Sequence, residues 1–344
     1  MTGPARPIHL RIIVTPNFNL AATMGFVDPF RAANYLEGIG HFSWEFVSDQ
    51  GGTCQASNGA SLVTRSLRDV ADVPADFVVV SASWTPEAFA TGAIQAALRQ
   101  AARHNATIGG IDTGPFIMAQ AGLLKGRSAT VHYEHIDAFQ ELYPETEVSE
   151  NLCVFDGPRI TCCGGAASSD FALHILQGTH GSALANSAAR YVFHPQLREP
   201  DTPQNPQTAE PLGKTVPVSV RKAIKTMEQH LEDPLPIAEI CKRADVSHRQ
   251  LDRLFALHLK KTPALYYRDI RLDRARGLVT QTSLSMSEIA VASGFASQVH
   301  FSRAYKARFG LPPIKDRIEG RIPFEFRAWP MHRKRAGIES GDPG

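Results

Sequence analysis

The sequence predicts an α/β domain followed by an all-α domain, and three observations carry that expectation. Up to residue 198 short apolar runs alternate with segments of helical period, whereas from residue 217 every periodic segment is helical. Between them REPDTPQNPQTAEPLGKTVPVS (198–219) holds five prolines among Asn, Gln, Thr and Asp, which is linker chemistry. The charge also changes sign: 12 Lys and Arg against 18 Asp and Glu over residues 1–200, net −6, but 18 against 11 over residues 215–320, net +7. The basic charge thus belongs to one module, suited to meet a polyanion. Domains are expected at 1–198 and 217–320, with a linker over 199–216 and a C-terminal extension over 321–344.

In the first domain HLRIIVT (9–15), WEFVS (44–48), DFVVVS (76–81), ATIGGI (106–111) and RITCC (159–163) read as strands. FVDPFRAANYLEG, PEAFATGAIQAALRQAARHN, PFIMAQAGLL and SSDFALHILQGTHGSALANSAARYVF read as helices. Continuous apolar strands alternating with helices predict a parallel sheet covered on both faces. Ligands of such sheets bind at the carboxyl ends of the strands. That rule gathers Asn17 to Asn19, Ser83, Trp84, Asp112 and Thr113 around one crevice.

The run IGGIDTGPFIMAQAGLL (108–124) breaks at Asp112 and resumes as a buried helix. A strand turning sharply onto a helix N-terminus is a common seat for a nucleophile or an anion. Asp112 is a poor nucleophile, so the plain expectation is a helix N-cap, with Pro115 in the first turn where its missing donor does no harm. The five cysteines, Cys54, Cys153, Cys162, Cys163 and Cys241, show no metal-ligand spacing. Reduced, buried thiols are expected, with no metal, no disulfide and no cofactor. The N-terminus has no apolar segment behind a basic one, and no run of about twenty apolar residues occurs, so a cytoplasmic protein without membrane contact is expected.

The second domain contains an internal repeat. PIAEICKRADVSHRQLDRLFALHLKKTP (236–263) and MSEIAVASGFASQVHFSRAYKARFGLPP (286–313) align without a gap. Each has an apolar helix, a turn at Asp245 or Gly294, a cap at Ser247 or Ser297, and a second helix with Leu254 and Phe255, or Ala304 and Tyr305, turned inward. This is a helix-turn-helix pattern, in which the second helix meets base edges in the major groove. The linking helix carries Arg268, Arg271, Arg274 and Arg276. They serve either DNA or a solvated face paired in part with Asp269 and Asp273.

Residues 221–317, with SEIAVASGFASQVHFSRAYKARFGLPP, resemble the AraC-type DNA-binding domain. In that family the two recognition helices occupy successive major-groove segments of double-stranded DNA. The resemblance implies base-facing roles for Arg249, Asp252 and Arg253 on the first helix, and for Gln298, Val299, His300 and Arg303 on the second. Arg and Gln suit guanine and adenine edges, while Asp252 accepts from cytosine or orients Arg253. The family closes on a Tyr-Arg pair where this chain has Asp316 and Arg317.

Residues 8–195 resemble the PfpI-like domain of the class I glutamine amidotransferase superfamily, in the form fused to AraC domains in GlxA-type regulators. VTPNFNLAATMGFVDPFRAAN, ASNGASL, GGIDTGPFIMAQAGLLKGRSATVHYEH and FDGPRITCCGGAASSDFALHI carry the likeness. Enzymatic relatives hold a cysteine where this chain has Asp112, with a supporting histidine at the place of His132. A carboxylate there has lost the thiolate's nucleophilicity, so the expectation is a receptor and not an enzyme, with Cys162 and Cys163 as buried wall. Asp112 favours a cation, with Phe18, Phe30 and Trp84 as candidate aromatic faces, of which Trp84 is best placed and Phe30 has core spacing. Relatives of this architecture include sensors of arginine and of quaternary amines, which implies an amine-bearing effector. The expected ligand site is Asp112, Thr113, Trp84, Phe18, Asn17 and His132. The whole reads as a homodimeric transcription activator that engages an operator, a small effector and RNA polymerase. Its rivals are a first domain that retains hydrolase or lyase chemistry and one that binds only protein. Phe324, Phe326, Trp329 and the HRKR cluster of the extension either pack on the DNA-binding domain or lie in solvent.

Overall fold

The structure is a computed structural model describing residues 6–204 and 216–319. The expected extension over 321–344 lies outside the described residues. The chain divides into two compact units, Met1–Asn205 and Pro206–Gly344. The first continues past the expected boundary at residue 198, because residues 199–204 bind back onto it; the linker expected over 199–216 is therefore shorter at its start, and residues 205–215 lie outside the described residues.

The first unit runs β1 (Ile8–Val14), α1 (Leu20–Glu37), β2 (Phe42–Ser48), β3 (Gln50–Gln55), β4 (Ser61–Ser66), β5 (Phe77–Ala82), α2 (Pro86–Phe89), α3 (Gly92–Arg103), β6 (Thr107–Asp112) and α4 (Gly114–Gln120). It continues with β7 (Ser128–Thr130), α5 (Ile136–Leu142), β8 (Glu147–Ser149), β9 (Cys153–Asp156), β10 (Arg159–Cys162), α6 (Ala167–His180) and α7 (Ser182–Tyr191). Eight strands form one sheet in the order β3-β4-β2-β1-β5-β6-β10-β9. Its interior is parallel as expected, but β3 and β9 pair antiparallel at the two edges. The expectation omitted β3, β4, β7, β8 and β9. QGGTCQ of β3 has two glycines and no clean alternation, and β7 and β8, three residues each, are too short to show a period.

Side chains alternate between the two faces of a strand. Leu10, Ile12 and Val14 of β1 join one core with α1, α6 and α7, while Ile13 between them is buried outside that cluster. Phe26, Phe30, Phe42 and Phe171 interlock there, with ring centroids 4.7 to 5.6 Å apart. Helix α1 begins at Leu20, ahead of the segment expected, because the Asn19 side chain accepts from Ala22 N–H at 3.1 Å and caps it.

The second unit is all-α: α8 (Val218–Glu228), α9 (Ile237–Arg243), α10 (His248–Leu259), α11 (Pro263–Gln281), α12 (Met286–Ala292), α13 (Gln298–Phe309) and α14 (Pro313–Glu319). Both helix-turn-helix copies form, but not as the gapless repeat expected: α9 and α12 start 49 residues apart and α10 and α13 fifty, so the second turn is one residue longer. Asp245 and Gly294 turn the chain at φ 54° and 70°, and Ser247 and Ser297 accept from Gln250 N–H and His300 N–H at 3.2 and 3.3 Å. Residues 251–260 and 301–310 share one order of buried, half-buried and exposed positions, so the two copies bury the same face. The unusual Asp316 is fully buried. It accepts from Tyr305 Oη at 2.8 Å and Arg276 Nε at 2.9 Å, which fastens α14 to α11 and α13. None of the described helices is long and apolar enough to cross a membrane.

Candidate functional site

Strands β1, β5 and β6 are adjacent and parallel, with Val14 beside Ser81 and Ala82 beside Asp112. Their carboxyl ends therefore bring Asn17, Trp84 and Asp112 to one edge of the sheet. The elbow is tight. A Cβ on Gly114 would strike the Val80 carbonyl, and one on Gly164 would come within 2.8 Å of the Asp112 Cβ at a φ of 89°. Small residues on both sides are thus a steric condition of the turn.

Asp112 itself has φ 63°, in the left-handed region. The expected N-cap role is corrected. Thr113 occupies the N-cap position of α4 and makes no side-chain cap, because the left-handed turn directs the Asp112 carboxylate to Asn19 Nδ2 at 3.4 Å and to Ser83. Pro115 does sit in the first turn. Asp112 is 4 % exposed. Burial pushes its carboxyl up to about 6 against the pull of His132, Asn19 and Ser83. Among the described residues it forms no ion pair with Lys or Arg. A carboxylate expected to be a settled anion is instead held close to protonation.

The other expected site residues divide into rim and interior. Asn17 (φ 64°), Trp84 and His132 are half-buried, and His132 N–H donates to the Asp112 carbonyl at 3.2 Å. Phe18 and Thr113 are fully buried. The Phe18 ring belongs to the core with Phe30, and the Thr113 hydroxyl is spent on the Ser83 carbonyl, so neither presents a surface to a ligand. Asn19, the direct partner of the carboxylate, was expected at the crevice by the strand-end rule but not among the ligand-site residues. Its signal was an Asn immediately ahead of an apolar run, the mark of a cap.

Behind the elbow lie three thiols. Cys153 faces Cys162 across β9 and β10, and Cys162 and Cys163 precede Gly164. Burial pushes the Cys162 thiol well up, and a hydrogen bond to Cys162 together with burial pushes the Cys163 thiol up as well. Neither is a thiolate at neutral pH.

Residues 199–204 run against the same region. Leu152 N–H donates to Thr202 O at 2.8 Å, Cys153 N–H to Pro200 O at 3.0 Å and Gln204 N–H to Glu150 O at 2.8 Å. The Gln204 amide donates to Thr130 Oγ1 and to the carbonyls of Val131 and Asn151 at 2.8 to 3.1 Å. The start of the strap is tied by Arg198 and His194 to the buried Asp170. Chain leading to the second unit is thus fixed beside residue 131, next to His132.

In the second unit Arg249, Arg253, Gln298, Val299, His300 and Arg303 are exposed on α10 and α13. Asp252 differs. It is half-buried, and its Oδ2 lies 3.3 Å from His248 Nδ1 and not against Arg253, one of the two partners expected for it. The repeat, applied at its offset of fifty residues, pairs Gln298, Val299, His300 and Arg303 with His248, Arg249, Gln250 and Arg253, and Asp252 with Ser302. His248 and Gln250 are exposed and were overlooked. Two of the linking-helix arginines are internal fasteners. Arg271 donates to the carbonyls of Ser293 and Gly294 and lies 4.4 Å over the Phe295 ring, and Arg276 holds Asp316. Asp269 and Asp273 pair with Arg308, and Asp269 also with Lys261, instead of with the arginines of their own helix.

Residues 11–178 match the DJ-1/PfpI family and residues 240–317 a helix-turn-helix domain family. The HTH-type transcriptional regulator CdhR of Pseudomonas aeruginosa is 40 % identical over 308 residues, which cover 89 % of this chain and 90 % of CdhR. The HTH-type transcriptional regulator GlxA of Rhizobium meliloti is 35 % identical over 306 residues, 89 % of this chain and 94 % of GlxA. The chain belongs to the GlxA-type AraC-family transcriptional regulators. The fold of the first domain is shared with a crystal structure of a THiJ/PfpI family protein from Pseudomonas syringae, at a TM-score of 0.51 and 20 % identity over 71 % of this chain and 95 % of that one. As a GlxA-type regulator the protein binds DNA to control transcription, and α10 and α13 are the second helices of its two helix-turn-helix copies.

Proposed function

We propose that this regulator is a non-catalytic receptor for a small amine-bearing metabolite, an amino acid or a betaine-like compound. The observation that carries the reading is Asp112, a buried carboxylate with a raised affinity for its proton and no Lys or Arg partner among the described residues. A cationic ligand at the carboxyl ends of the strands supplies the missing charge. Asn17, Trp84 and His132, all half-buried, form the rim, with Trp84 as an aromatic face for an ammonium. Retained hydrolase or lyase chemistry is disfavoured, since the Cys162 and Cys163 thiols are buried and pushed away from ionisation.

Binding energy alters DNA occupancy only if the effector distinguishes two states. The strap over residues 199–204 supplies a candidate element, since Gln204 holds the Val131 carbonyl one residue from His132. On the AraC resemblance we read the protein as a cytoplasmic homodimer that activates by engaging RNA polymerase at an operator contacted through Arg249, Arg253, Gln298, Val299, His300 and Arg303. Thermal-shift titration of the full chain with amino acids, betaines and polyamines tests the receptor. A true ligand at a hundred times its Kd adds about 2.7 kcal/mol, and Asp112→Asn abolishes the gain. An absent shift, or an equal one in the variant, overturns the reading.

A further inference from the structure

Just beyond the elbow, His132, Glu134 and His135 each offer one ligand atom, and these atoms lie within 4.8 Å of one another. Local geometry explains the cluster. His132 caps a 3-10 turn over Tyr133–His135, and in a turn of three residues positions i and i+3 eclipse. The two imidazoles therefore lie on one side, edge to face, with ring centroids 6.1 Å apart. His135 is 8 % exposed and stands edge-on to Phe116 at 6.0 Å, which restrains its ring, whereas Glu134 is exposed.

We infer that His132, Glu134 and His135 form a binding site for a single divalent transition-metal ion of the zinc class. Two imidazoles and one carboxylate are the donor set of such ions and not of calcium or magnesium, which take oxygen ligands. Ligand atoms of a tetrahedral zinc site lie about 3.3 Å apart, so the present span of 4.8 Å closes with modest side-chain rotations. Among the interactions given up are two long ones, Glu134 N–H to His132 Nδ1 at 3.4 Å and Tyr133 Oη to Glu134 Oε1 at 3.4 Å. Three protein ligands leave a coordination position for water or a small ligand, the arrangement of working sites rather than of structural ones. Asp112 lies within electrostatic reach of both His132 and Glu134, so the ion also offsets the charge of two neighbouring carboxylates. No spacing in the sequence announced the site, since the ligands fall on one turn of a helix type that apolar periodicity does not reveal. The metal site shares His132 with the rim of the proposed amine site, so zinc is titrated without amine, and loss of amine binding leaves the zinc outcome to be read separately.

The test is calorimetric titration of the EDTA-treated full chain with Zn2+, with no amine present, and Co2+ absorption as a second readout. One equivalent of Zn2+ is expected to bind. His132→Ala and Glu134→Gln each weaken it at least about tenfold, the loss that even an outer partner of a metal ligand can cause. His180→Ala, at the unrelated His41 pair, leaves it unchanged. Visible Co2+ bands appear in the wild type and vanish in His132→Ala. Glu134 is exposed, so its variant keeps the test valid should a histidine variant fold poorly. Absence of stoichiometric zinc binding, or binding that His132→Ala and Glu134→Gln leave intact, overturns the site.

Discussion

Two regions of this chain use the same backbone device for opposite ends. At the elbow Asp112 enters α4 through φ 63°, and in the helix-turn-helix copies Asp245 and Gly294 end α9 and α12 through φ 54° and 70°. In the DNA-binding domain the device is purely geometric. Asp245 is exposed, Gly294 presses on backbone, and an acid and a glycine serve in equivalent places. At the elbow a charged side chain is 4 % exposed and held near protonation. Asparagine would meet the backbone demand without the cost of burying a charge. The proposed receptor role gives that cost a reason.

That contrast can be broken most severely at Gly294. A Cβ there would lie 2.5 Å from the Leu231 carbonyl oxygen at a left-handed φ, so Gly294→Val is expected to destabilise the chain by about 3 kcal/mol or more. Asp245→Gly, in the matching turn, stays within about 0.5 kcal/mol. Urea denaturation measures both, and equal effects would dissolve the geometric reading.

The next effect is electrostatic. Asp112 titrates at about 6 in the fold against 3.8 for an ordinary aspartate, a difference worth roughly 3 kcal/mol. The folded value is raised, so the group's favourable contribution is full below pH 3.8 and is lost as pH rises through about 6. In EDTA, Asp112→Asn should therefore gain stability over the wild type as pH rises from about 4 to 7. Parallel pH profiles for the two proteins would refute a buried charge at the elbow.

Smaller still are the losses at the reading faces. Arg253→Ala and Arg303→Ala should each cost roughly 1 to 3 kcal/mol of specific binding and relax discrimination at different halves of the operator. Footprinting on base-substituted operators separates the halves. Asp252→Ala, whose carboxylate pairs with His248, should change operator affinity by less than about 0.5 kcal/mol. A larger loss would restore Asp252 to the reading face.

The helix-turn-helix domain was the more legible half, and for a local reason. Its caps, turns and inward positions each follow from a few neighbouring residues, and the repeat states them twice. Even so, the repeat was not carried through to His248 and Gln250, although the offset that joins Arg253 to Arg303 reaches both. In the first domain the apolar interior strands were legible because burial on both faces writes a continuous run. The edge strand β3 was not, since edges carry glycine and polar residues. Of the expected ligand site, Asp112, Asn17, Trp84 and His132 gather at the sheet edge, while Phe18 and Thr113 sink into the interior, a distinction that residue type does not encode.

Composition and periodicity were enough to establish two domains of opposite charge, a doubled groove-reading motif and an acid at the strand-to-helix turn, because each is a property of contiguous residues. Only the folded chain decided how strongly that acid holds its proton, that residues 199–204 are tied beside it, and that two histidines and a glutamate converge on one turn. Those outcomes depend on desolvation and contact among segments far apart in sequence: Asn19, Ser83 and Gly164 meet Asp112 only after the sheet has formed.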